Sequence, residues 1–198
     1  MDTEILTSVL IIAAIALIAF GVWFYYRHRT SENLKERFGP EYDNTVRQFK
    51  SQSRAETELK TRQERVSHYN IVTLPRAEGV RYRESWTAVQ GEFVDQPEKA
   101  VRDADRLVQE VMERCGYPLR DFDQAAADLS VDHPHVVENY RFAYRIAERS
   151  RRGAADTEEL RKAVVYYRAL FEDLLEEEAP RDEKPSRTTR LREASHTH

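Results

Sequence analysis

The run over 5–26, ILTSVLIIAAIALIAFGVWFYY, holds 22 residues without a charged side chain. At about 1.5 Å rise per residue a helix of that length spans roughly 30 Å, the thickness of a bilayer core. The run therefore predicts one transmembrane helix near the N-terminus. Thr7 and Ser8 can return their hydroxyls to backbone carbonyls one turn back, and Gly21 is tolerated in lipid. Trp23, Tyr25 and Tyr26 stand at one end, where aromatic rings prefer the interface, and Arg27 and Arg29 follow them. These five are the expected membrane-interface residues. Asp2 and Glu4 precede the run, so the basic flank lies after it. That asymmetry predicts an outside N-terminus and a cytoplasmic soluble part. A cleaved signal peptide needs a basic start and small residues before the cleavage point, and neither is present. Ala14, Ala16, Ala19 and Gly21 form no tidy small-x3-small pair, which fits a lone anchor.

Beyond the anchor the chain is hydrophilic and helical in pattern. Only 6 glycines and 7 prolines occur in 198 residues, too few for the many turns of an all-β chain. The expected fold class is all-α: the anchor, a long helix and a compact helical bundle. The net charge of −4 argues against a nucleic-acid partner, which calls for a basic field. The single cysteine, Cys115, cannot form an intrachain disulfide and reads as a core residue at a helix end.

Residues 31–38 form a short collar that Gly39-Pro40 interrupts. From 41 to 69 the pattern is helical, with Tyr42, Val46 and Phe49 continued after a shift by Ala55, Leu59, Val66 and Tyr69. So thin a stripe fits a helix packed on its own chain or paired as a coiled coil, although Arg62 occupies a seam position. Residues 70–75 are a linker in which Val72 and Leu74 are expected to tuck inward. A helix over 76–95 is anchored by Trp86 and Phe93. Asp95 is placed to cap the next helix, which carries the strongest apolar stripe and ends at Gly116. Asp121 can cap a short helix over 122–129, and Asp132 can cap one over 134–151. Asp156 and Glu159 form a capping box for the last helix. The organisation is thus 1–29 anchor with flanks, 30–75 collar and long amphipathic helix, 76–178 bundle, and 179–198 a charged, disordered tail that cannot bury enough apolar surface to fold.

Chemistry is sparse. No Gly-rich phosphate loop, nucleophile elbow, HExxH or paired-cysteine knuckle occurs. One cluster, Asp128, Asp132, His133, His135 and Glu138, mixes carboxylates and imidazoles suited to a borderline metal. Its spacing matches no metal motif, so capping and surface positions are the favoured reading, and no cofactor is implied. Tyr140, Tyr144, Tyr166 and Tyr167 read as core residues, with a ligand groove as the alternative. Glu172, Asp173 and Glu176 make the end of the last helix acidic, against the helix dipole.

The phrases RFGPEYDNTV at 37–46, FVDQPEKAVRDADRLVQEVMERCGYP at 93–118, DFDQAAADLSVDHPHVVENYR at 121–141 and VYYRALFEDLLE at 165–176 resemble a family of bacterial, actinobacterial-type proteins. Members of that family have one N-terminal membrane anchor and a cytoplasmic helical domain. The resemblance spans most of residues 30–178 and implies a bacterial plasma membrane, but no reaction. The expected function is a membrane-tethered interaction or scaffold domain, not an enzyme. Its partners would be the lipid bilayer and another protein or a second copy joined through helices. The alternatives are a sensor or stress-response component binding a small ligand between helices, and a metal-dependent enzyme built on the Asp128/His133 cluster.

Overall fold

The computed structural model describes residues 17, 18, 20, 21 and 29–176, and every regular element among them is helical. Helix α1 covers 29–38. It is followed by α2 (Pro40–Phe49), α3 (Gln52–Ser67), α4 (Arg76–Glu92), α5 (Pro97–Arg114), α6 (Phe122–Leu129), α7 (Val137–Arg151) and α8 (Thr157–Glu176). The all-α expectation holds.

Most of the expected anchor, with Trp23, Tyr25, Tyr26 and Arg27, lies outside the described residues, as does the tail from 177 onward. Leu17, Ile18, Phe20 and Gly21 are helical, and the three large side chains are exposed. Among the described residues no helix is long and apolar enough to cross a membrane.

The 41–69 pattern is not one helix. Lys50 adopts a left-handed conformation at φ 50, which closes α2 and turns the chain into α3. The shift in the apolar stripe marks this corner: a continuous helix would carry Phe49 and Leu59 onto different faces, whereas the turn folds both halves onto one seam. The resulting hairpin packs within the chain. Tyr42 and Leu59 meet Leu34 and Phe38 of α1 in a small core shared with Val66 and Val131.

The main core lies between α5, α7 and α8, with α4 along α5. The apolar face of α5, from Ala100 to Met112, is almost fully buried. Each large aliphatic side chain enclosed this way contributes about 1.5–3 kcal/mol. Trp86 of α4 stacks on Phe171 of α8 with ring centroids 4.8 Å apart. Phe93 is only half-buried at the rim. Ile71 touches both cores and joins hairpin to bundle.

Several caps form as their residue types require. The Asp121 side chain accepts from the Gln124 amide at 2.8 Å. Asp156 and Glu159 satisfy each other's backbone amides, at 2.8 and 3.1 Å. Gly116 takes φ +97, where a Cβ would stand 2.3 Å from the Asn70 carbonyl oxygen, so only glycine lets the α5 end meet the linker. Other expectations need correction. Gln96, not Asp95, is the N-cap residue of α5, and no side chain caps it. Val72 faces outward while Ile71 tucks in beside Leu74, because the Val72 amide is committed to the Cys115 carbonyl and fixes the alternation of the linker. Helix α7 begins at Val137 rather than at residue 134.

Candidate functional site

A carboxylate removed from water must find cations or donors, and four are buried among the described residues: Glu41, Glu56, Asp105 and Asp128. Each bridges helices. Glu41 sits in the first turn of α2, just after Gly39 (φ 46) and Pro40 swing the chain inward. Its Oε1 accepts from Arg62 of α3 at 2.8 Å and from Arg141 of α7 at 2.8 Å, and its Oε2 accepts from Arg141 at 2.6 Å. Burial pushes the Glu41 carboxyl up, but the two guanidinium groups more than offset this and hold it below its ordinary value. Arg62 also donates to Glu58 at 2.9 Å and to Ser130 at 3.3 Å.

Glu56 of α3 is treated alike by neutral donors. Burial raises its carboxyl, and hydrogen bonds from Ser31, Gln52 and Tyr42 bring it below the ordinary value. Tyr42 is pushed up to about 12, first by burial and then by the carboxylate that its hydroxyl serves at 2.8 Å. In the bundle core Asp105 accepts from the Tyr167 hydroxyl at 2.9 Å and from Arg151 at 2.8 Å.

The five-residue cluster singled out by sequence is pulled apart. Asp128 is 1% exposed and accepts from Arg65 at 2.7 Å, Tyr69 at 2.9 Å and Gln124 at 2.8 Å. Asp132 does not cap a helix; it accepts from the Tyr117 hydroxyl at 3.0 Å and lies 3.9 Å from Arg37. His133 does not face water. It is 5% exposed, its Nδ1 lies 2.6 Å from Asp173 Oδ2, and its ring meets Tyr117 edge-on. The reason is the turn over 133–136, whose backbone continues from Leu129 and swings the imidazole beneath α8. His135 is exposed, with its ring over Gly39. Glu138 pairs with Arg141 at 3.4 Å and Arg145 at 3.9 Å. Among the described residues no three His, Cys, Asp or Glu side chains converge on a point that could hold a metal ion.

The acidic end of α8 is thereby partly explained, since Asp173 meets His133 and Glu172 meets Arg168 at 2.5 Å. Cys115 is buried, as expected of a core thiol. The tyrosines do not share a cavity. Tyr140 and Tyr144 line a shallow depression of about 380 Å³ with Phe122. Tyr167 is buried against Asp105, and Tyr166 lies beside Phe142 with ring centroids 5.9 Å apart. The largest groove, about 1130 Å³, runs beside α3 and the linker, with Arg37, Lys60, Glu64, Asp132 and Glu176 along it. Its lining mixes both signs of charge and gathers no catalytic constellation.

Sequence reasoning noticed Arg62 but missed Glu41, Arg141 and Asp105. A legible signal existed for Asp105, which occupies a stripe position of α5 between Val101 and Val108 where an apolar residue is the norm. Glu41 and Arg141 are a hundred residues apart, and nothing local links them. No protein-family model, curated protein or solved structure matches this chain.

Proposed function

We propose that this protein is a membrane-tethered helical interaction or scaffold domain, held at a bacterial plasma membrane by an anchor over 5–26, with the domain on the cytoplasmic side. The observation that carries the reading is the assignment of the buried charges. Glu41, Glu56, Asp105, Asp128 and His133 are each committed to another helix of the same chain. Such groups position helices rather than a substrate. The exposure of Leu17, Ile18 and Phe20 on a helical segment supports the tether, because apolar side chains presented outward call for a nonaqueous surrounding. On this reading the hairpin and the bundle form one body that presents an outer surface to a partner protein or a second copy.

The test is crosslinking of the full-length chain in its native membrane, followed by alkaline washing of that membrane. The expected result is a chain retained after washing and crosslinked to one stoichiometric partner, with the crosslinks on the exposed faces of the bundle. Release by the wash sinks the tether. Retention with no reproducible partner, under conditions that recover a known complex, sinks the scaffold reading.

A further inference from the structure

Helices α1 and α3 run in the same direction. At one end the Ser31 hydroxyl donates to Glu56 at 2.7 Å, and Gln52 lies 3.5 Å from the Ser31 oxygen. At the other end Arg37 approaches Asp132, beyond the C-terminal half of α3. Arg29 stands two residues before Ser31, about 3 Å further along the helix axis. The start of α1 and the corner joining α2 to α3 therefore share one end of the domain, the end nearest the expected anchor.

That end has a distinct charge. The chain carries 35 acidic side chains, yet residues 44–55 include none, while Arg47, Lys50 and Arg54 fall within them. All three are exposed, as is Arg29. Arg47 bonds only to the neutral Asn44, and among the described residues neither Lys50 nor Arg54 has an acidic partner. Half-buried Phe49 lies between them and lines a shallow groove with Ser53 and Arg54. The corner residue Lys50 holds φ 50, a conformation that glycine or asparagine adopts with less strain. A lysine kept in such a position fits a role for its charge.

We propose that the α2–α3 corner, together with Arg29, is a docking surface for anionic lipid headgroups of the membrane that tethers the chain. This inference rests on the tethered reading above. Lys50, Arg54 and Arg47 meet the negative surface potential, Phe49 settles at the headgroup boundary, and the domain is held in one orientation against the bilayer. Each basic side chain close to an anionic surface raises occupancy of the docked state about five-fold at moderate ionic strength.

The experiment uses the full-length chain reconstituted into vesicles of phosphatidylcholine alone or of phosphatidylcholine with phosphatidylglycerol. Flotation after a high-salt wash reads the tether, and amide hydrogen exchange over 47–54 reads the corner. The expected result is flotation with both lipids and exchange at the corner slowed at least about five-fold only with phosphatidylglycerol. The variant Lys50→Glu/Arg54→Glu should float equally and lose that slowing. Equal exchange in both lipids with flotation intact overturns the docking surface and leaves the tether standing. Slowing that persists in the variant also overturns it. Failure to float overturns the tether, and the docking surface with it.

Discussion

Glu41 is the side chain on which the joint between hairpin and bundle turns, and Glu41→Ala is the most informative single change. The carboxylate is 2% exposed and accepts three guanidinium hydrogen bonds from two helices. Its removal leaves the Arg62 side chain, itself 5% exposed, with Glu58 and Ser130 alone, and leaves Arg141 with Glu138. Breaking one partner of a buried ion pair costs about 3–5 kcal/mol, because the other charge remains desolvated. The residual partners place the expected loss near the lower end, at about 3 kcal/mol. For a chain of this size that lowers the melting temperature by roughly 6–12 °C. The assay is thermal unfolding of the full-length protein in detergent, followed by circular dichroism. A second measurement separates the network from mere truncation. Glu41→Ala and Arg62→Ala should not be additive, since the second change removes the charge stranded by the first. The triple variant Glu41→Leu/Arg62→Met/Arg141→Met should recover much of the loss, as apolar replacements of buried ion pairs often do. A Glu41→Ala protein within about 1 kcal/mol of the parent, or strict additivity with Arg62→Ala, would refute the reasoning.

Two further outcomes follow from particular residues. Gly116→Ala combines a left-handed backbone with a clash against the Asn70 carbonyl, and should cost at least about 2 kcal/mol. Gly153→Ala, at φ +66 but with open space around its Cβ, should cost about 1 kcal/mol, and comparing the two melting temperatures isolates the contact from the dihedral. Acid should destabilise the hairpin first. Glu41 and Glu56 are held below the ordinary value of 4.5, so the stability they contribute is complete above it and is lost as pH falls through their lowered values. Hydrogen exchange in α2 and α3 should accordingly rise with acid before exchange in α5 and α8, and Glu41→Gln should weaken that dependence.

The sequence by itself determined the class of the fold and much of its punctuation. Apolar spacing placed α5 and α8, because a 3.6-residue period needs only neighbours along the chain to be read. The Asp121 cap, the Asp156–Glu159 box and the Gly116 stop were legible for the same reason: each bonds within a few residues. The tertiary structure alone decided where the polar side chains went. His133, placed by its neighbours at a helix start in water, is buried because α8 brings Asp173 to it from forty residues away. Asp128 left its sequence neighbours for Arg65 and Tyr69, and Glu41 found Arg141 across the fold. The break at Lys50 was likewise invisible to periodicity, since both halves are helical and only packing against α1 selects the turn. Local spacing records which backbone a segment can adopt. A desolvated charge takes whichever partner the folded chain delivers, and that is a property of contacts between segments rather than of any one of them.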